Sequence, residues 1–160
     1  MPRWINWALP VVTALVYAVL VGWFGPRVQA AAGGLLPFDL RAAGYGTQAA
    51  RDFLTALTPA GRALYLGPVR INDTIFPVLF TLTLCLPLRG WLWPWFVPAL
   101  GYGLLDLAEN IAVARLLRAG PQVAAGPVAV ASALTMAKFA VVAVAVVLAL
   151  WALWTRWRAR

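Results

Sequence analysis

Four stretches of the chain are apolar enough, for long enough, to predict membrane-spanning helices. A helix rises 1.5 Å per residue, so about 20 mostly apolar residues cross ~30 Å of hydrocarbon. The first run, about residues 4–24, has no charge inside it. The second, about 72–88, is short, and the third, about 93–117, carries Asp106 and Glu109. The fourth, about 127–154, carries Lys138 and opens on Pro127 after Gly126, a favoured first-turn arrangement. No run of strict apolar–polar alternation repeats along the chain, which argues against a β-barrel. The expected fold is an all-α, four-transmembrane-helix bundle forming one domain over residues 1–160. Pro77 and Pro98, near the starts of the second and third helices, predict kinks that widen the bundle.

The outer loop, about 25–70, has its own pattern. Ala50, Phe53, Leu54 and Leu57 follow the i, i+3, i+4, i+7 spacing of an amphipathic helix. Thr58-Pro59 caps and starts a second short helix through Leu66, ended by Gly67-Pro68. The expectation is an interfacial packing helix on the outer surface, with a lid over a binding site as the alternative. Val28-Gln29-Ala30 resembles a signal-cleavage site. The preceding apolar run holds Trp4, Trp7 and Trp23 and is longer than a signal core of about 7–15 residues, so a retained helix is expected.

Tryptophans set the number of crossings. Trp and Tyr favour the membrane interface. Eight of the nine fall in three groups: Trp4 and Trp7; Trp91, Trp93 and Trp95; Trp151, Trp154 and Trp157. Four crossings place all three groups on one face. Arg156, Arg158 and Arg160 follow the last helix directly, where basic residues favour the cytoplasmic side. Both termini are therefore expected in the cytoplasm, with Arg3 and Arg89 on the same face. Arginine outnumbering lysine twelve to one, with abundant Ala and Gly, points to a high-GC bacterium and its cytoplasmic (inner) membrane.

Composition supports the lipid bilayer as solvent. Soluble domains are about 45–50% apolar and about 25% charged; here the values are 63% and 11%. Histidine is absent and Cys85 is the single cysteine, so imidazole chemistry, an intramolecular disulfide and a cysteine metal cluster are excluded. No cofactor or metal is expected. Cys85 reads as a small buried apolar residue, since no base accompanies it. The net charge is +8, but the arginines are scattered without a basic stripe, so no nucleic acid is expected as partner.

The informative residues are the polar ones inside the apolar runs. Counted along the helices, Asp106 lies about 17 Å, Lys138 about 20 Å, Glu109 about 21 Å and Asp73 about 24 Å from the Trp-rich interface. These groups share one layer in the outer half. Tyr102, Asp106, Glu109, Asn110 and Val113 share one helix face, as do Thr135 and Lys138. Folding the third and fourth helices back about Gln122 sets Asp106 level with Lys138 and Glu109 level with Thr135. Lys138 can therefore pair with either acid. Charges at this depth cost about 2.5–3.5 kcal/mol each on insertion scales, so they must face inward. Three acids against one lysine leave the layer at minus two. Four readings follow: an ion-pair network locking the helices, a ligand pocket open to the outer side, a proton or ion path, and catalysis. Arg62, on the short helix returning towards Asp73, is the expected cap of the layer. Arg41 is expected to pair locally with Asp39, and Arg51 to be solvated beside Asp52. Gly101 and Gly103 read as sites of close helix contact. Ala129, Ala133, Ala137 and Ala140 form a small-residue stripe for packing within this chain or against a partner.

Several phrases carry a resemblance: Pro37-Phe38-Asp39-Leu40-Arg41 with Gly44-Tyr45, Gly61-Arg62 with Tyr65-Leu66, Asp73 with Phe76-Pro77, and Asp106-Leu107-Ala108-Glu109-Asn110. Over about residues 37–140 the chain resembles a group of small bacterial four-helix membrane proteins to which no activity is attached. The resemblance implies that Asp39, Arg41, Tyr45, Arg62 and Tyr65 join the helix acids in one site. The functional expectation is a non-enzymatic membrane protein. It would be an accessory or assembly subunit beside a membrane-protein partner or a second copy, or a binder of a lipid or isoprenoid amphiphile. The alternatives are a membrane enzyme acting on a lipid headgroup, with Asp106 or Glu109 as general base, and a small proton-coupled carrier.

Overall fold

Prolines determine how the helices run. The computed structural model describes residues 5–158; Arg3, Trp4 and Arg160 lie outside the described residues. Seven α-helical segments join into five continuous rods, and no strand occurs among the described residues. Helix α1 (Ile5–Val19) passes through a π turn at Leu20–Phe24 into α2 (Gly25–Ala31). The sequence reading ended this helix at Phe24, before Gly25-Pro26. A proline clashes with the carbonyl four residues earlier and has no N–H to offer it. Widening the turn to π geometry absorbs that clash, and the rod continues to Ala31. Val28, in the cleavage-like tripeptide, is buried in the core.

The same device recurs after the loop. Helix α3 (Thr47–Ala56) is followed by α4 (Pro59–Leu64), a π turn at Tyr65–Val69 containing Pro68, and α5 (Arg70–Cys85). Thr58 caps α4 by accepting from the Gly61 N–H at 3.1 Å. Gly67-Pro68 therefore lies within a π turn and does not end the helix. Helix α6 (Val97–Ala119) begins with Pro98 in its first turn and closes on Gly120, at φ 72°. Pro98 thus starts a helix and kinks none. Helix α7 (Ala125–Arg158) is the longest. Three rods are long and apolar enough to cross a membrane: Asn6–Ala31, Trp93–Gln122 and Ala125–Arg158. The α4–α5 rod falls short because Arg70, Asn72 and Asp73 lie near its middle, in the first turn of α5.

In the bundle α1 packs on α5, α5 on α6 and α6 on α7. Interhelical hydroxyls reinforce these seams: Thr13 and Thr83 share a hydrogen bond of 2.9 Å, and Thr81 donates to the Ala99 carbonyl. A Cβ on Gly103 would collide with Thr81 Oγ1, so this glycine sets the α5–α6 approach. Two apolar clusters form. One, at the loop end, gathers Phe38, Phe53, Leu54, Leu57, Val113, Leu116 and Val128. The other holds Leu84, Ala99, Tyr102, Ala145 and Ala149. The face of α3 expected from its spacing is the face it buries: Ala50, Phe53, Leu54 and Leu57 are all in the core. The Ala129, Ala133 and Ala140 stripe is instead exposed on α7, while Ala131, Ala145, Ala149 and Ala152 pack inward.

At the far end, Trp91, Trp95 and Trp151 form a ring cluster with centroids 4.9–5.6 Å apart. Arg89 donates to the Asn6 side chain, and Arg156 donates to the Arg89 carbonyl. These bonds gather the start of α1, the α5–α6 turn and the end of α7.

The loop is pinned to α7 at Gly44-Tyr45. Gly44 has φ +79°, and an added Cβ would lie 2.8 Å from Ser132 Oγ and 2.9 Å from Met136 Sδ. The next N–H, of Tyr45, donates to Ser132 Oγ at 2.8 Å. Strain of this kind costs about 1–3 kcal/mol. Gly44→Ala should lower the thermal midpoint in detergent by several degrees. Gly126→Ala, where the space is open, should leave it unchanged.

Candidate functional site

The α6–α7 hairpin carries the buried charges. Asp106, Glu109 and Asn110 lie one helical turn apart on the inward face of α6, opposite Thr135 and Lys138 on α7, and all five are buried. Lys138 Nζ lies 2.7 Å from Asp106 Oδ1 and also pairs with Glu109 Oε2. Thr135 donates to Glu109 Oε1, and the Tyr102 hydroxyl donates to Asp106 Oδ2 at 3.2 Å. One ammonium is thus shared by two carboxylates, and a hydroxyl donates to the other oxygen of each. This polar layer sits between the two apolar clusters.

Asp73 reaches the layer from α5. Pro77, four residues later, has no N–H for the Asp73 carbonyl, so that buried oxygen loses its helical partner. The Asn110 side-chain amide donates to it instead. The polar residue on α6 therefore compensates for a proline on α5. The Asp73 carboxylate has no hydrogen bond or ion pair with any described residue, although Asp73 is only 7% exposed. Arg70, one turn earlier, forms no ion pair with it.

The loop adds Asp39 and Tyr65. Phe38–Leu40 forms a 3-10 turn over the bundle, and the Tyr65 hydroxyl, presented by the second π turn, donates to Asp39. Burial first, and then the Asp39 charge, push the Tyr65 hydroxyl above its usual range, so it remains a neutral donor. Burial and the Glu109 charge act likewise on Tyr45.

Together these groups line one end of a cavity of about 530 Å³. At this end its lining includes Asp39, Tyr65, Asp73, Tyr102, Asp106 and Lys138, while the hydrogen-bonded pair Thr13 and Thr83 lines it elsewhere. The remaining walls are mostly apolar and come from α1 (Pro10, Ala14, Tyr17), α5 (Phe76, Phe80) and α7 (Phe139, Val142, Val146). Helices α1 and α7 are not packed on each other as the other neighbours are, and the cavity occupies the slot between them.

Of the residues singled out from sequence, Asp39, Tyr65, Asp73, Tyr102, Asp106 and Lys138 meet in this cavity, with Glu109, Asn110 and Thr135 directly behind them. The loop arginines are placed elsewhere. Arg62 lies beside Gly120, at the α6–α7 turn, and caps no acid. Arg51, expected in solvent, donates to the Val123 carbonyl at 3.1–3.2 Å. Arg41, expected to pair with Asp39, donates to the Leu36 carbonyl and lies over the Phe38, Tyr45 and Phe53 rings. For Arg41 and Arg51 the physical reason is shared: loop turns and helix ends expose carbonyls without helical partners, and guanidinium forks satisfy them. The aromatic walls Tyr17, Phe76 and Phe80 were missed, because an aromatic on an apolar helix resembles any lipid-facing residue. No family model, curated protein or solved structure matches the chain.

Two stability cycles test this geometry. Removing one partner of a buried pair costs about 3–5 kcal/mol. Lys138→Met should cost that much, and adding Asp106→Asn should recover part of it; additive losses would rule out direct pairing. Asn110→Ala should cost about 1–3 kcal/mol by orphaning the Asp73 carbonyl. Its penalty should shrink in a Pro77→Ala background, where residue 77 regains the helical N–H. Equal penalties in both backgrounds would show that Asn110 does not serve that carbonyl.

Proposed function

We propose that this chain is a four-span protein of the bacterial inner membrane that binds a single amphiphile between α1 and α7. The tail would lie along the apolar walls and the head at the polar layer. The observation that carries this reading is the cavity: it is of ligand size, since small-molecule sites run to about 300–1,000 Å³, and it joins an apolar slot to buried polar groups at one end. The α4–α5 rod supports four crossings because it packs between α1 and α6, both long enough to span. The bonds of Arg89 and Arg156 support a common side for the chain ends, and the arginines after α7 favour the cytoplasm for that side.

A second reading, an accessory subunit, draws on the exposed Ala129, Ala133 and Ala140, where a partner helix or second copy can approach closely.

Reporter fusions at the C-terminus and at Gly33 should report opposite compartments, the C-terminus cytoplasmic; the same compartment for both would overturn the four-span topology. Native mass spectrometry of gently extracted protein should show one bound lipid-sized molecule per chain. It should be lost when Val142→Trp fills the slot. A ligand-free chain carrying a stoichiometric protein partner would favour the accessory reading.

A further inference from the structure

The binding reading leaves the chemistry of the head open, and three observations on the cavity bear on it. The first is the charge count. Asp39, Asp73, Asp106 and Glu109 stand at or behind the cavity wall against the single cation Lys138, whose ammonium already serves Asp106 and Glu109. Asp39 accepts from the neutral Tyr65 hydroxyl and forms no ion pair; the Arg41 guanidinium, bonded to the Leu36 carbonyl, acts on it only at longer range. The arginines that could neutralise the remainder are turned to backbone carbonyls or make no ion pair.

The second observation is Asp73 itself. It is more than nine-tenths buried, it lines the cavity, and its carboxylate has no partner among the described residues. A buried carboxylate without a partner is costly, so its place at a cavity wall indicates a missing donor.

The third is the wall beside it. Tyr17, Phe76, Phe80 and Tyr102 form a continuous aromatic row. Successive ring centroids are 5.3, 5.3 and 5.5 Å apart, and all four rings line the cavity. Ring faces attract cations within about 6 Å. Lys138 Nζ already lies 5.5 Å from the Phe139 ring in the same cavity. Acids at the end of an aromatic row make a receptor for positive charge and disfavour phosphate.

We propose that the amphiphile carries a singly charged ammonium head, which pairs with Asp73 against the Phe76–Phe80–Tyr102 row while its tail occupies the slot between α1 and α7. This inference rests on the binding reading above. The ammonium brings the positive charge that the layer lacks and donates to the free carboxylate. An anionic head would face Asp39, Asp73 and Asp106 together, and a neutral one would bring no positive charge to the layer.

The test uses the full chain in neutral maltoside micelles and three probes with the same photoreactive hexadecyl tail: the amine, the alcohol and the phosphate monoester. Crosslinks are mapped by mass spectrometry. The amine should label the slot segments around Tyr17 and Phe139 at least tenfold more than the alcohol, with the phosphate weakest. Asp73→Asn should reduce amine labelling to the alcohol level, whereas Arg158→Gln should leave it unchanged. The thermal midpoint of unliganded Asp73→Asn should equal or exceed that of the wild type, because an unpaired buried charge has been removed. Amine labelling no stronger than alcohol or phosphate labelling would overturn the ammonium assignment and leave the binding reading standing. Selectivity surviving in Asp73→Asn, or a lower midpoint for that variant, would overturn the role of Asp73. Absence of slot labelling by all three probes would overturn the binding reading itself.

Discussion

One ammonium among carboxylates orders the helical bundle of this protein. Lys138 lies between Asp106 and Glu109, and neither acid can be turned to lipid without a cost larger than most packing terms. That fixes the rotation of α7 about its own axis. With Lys138 and Thr135 inward, Ala131, Ala145, Ala149 and Ala152 follow them, and their small side chains let α6 come close along its length. The exposed face of α7 is then the face left over, including the alanine stripe. The hairpin is thus a unit, with α5 and then α1 added to it. The series ends with an unsealed gap between α1 and α7.

The prolines shape that gap. Pro26 and Pro68 each follow or sit within a π turn, and residues of both turns (Leu20, Val21, Tyr65 and Val69) line the cavity. A π turn shifts the side chains after it relative to a straight α-helix. It also presents Tyr65 towards Asp39. Pro77 acts differently, by removing a donor. Its effect is felt at Asp73, whose carbonyl is then held by Asn110 across the α5–α6 seam. A defect in one helix thereby becomes a directional bond between two, which fixes the depth of Asp73 beside the Lys138 layer.

This also explains what could be read from residue types alone. The apolar runs, the amphipathic face of α3 and the pairing of Asp106 with Lys138 and Glu109 with Thr135 depend on fixed helical spacings and on polar groups that contrast with their surroundings. Reflection about Gln122 is enough to align them. Arg41 and Arg51 depend on something no side-chain pattern records, namely which backbone carbonyls are left without partners once turns and helix ends have formed. Arg62 and Arg51 look equivalent to any other cation facing a negative layer, yet one lies against Gly120 and the other donates to Val123. The extension of α1 past Gly25-Pro26 was hidden for a related reason. A helix stop and a π turn share the same residues, and only the packing of Val28 and Ala32 into the core selects the second.

The two apolar clusters give the polar layer its direction. The loop-end cluster, roofed by Phe38, Phe53 and Leu57, covers the layer on one side, while Leu84, Ala99 and Ala149 fill the bundle on the other. Charged groups enclosed in this way have little contact with bulk water along the bundle axis. Their remaining approach is lateral, through the slot walled by α1 and α7, where Tyr17 and Phe139 are exposed. Under the proposed topology that slot faces hydrocarbon, and the layer lies nearer the outer leaflet. A molecule arriving there must dissolve in lipid along most of its length and carry a polar head at one end. On the proposed reading, the physical demands of the slot and of the acids converge on an amphiphile entering from the membrane, head towards the loop and tail along α1.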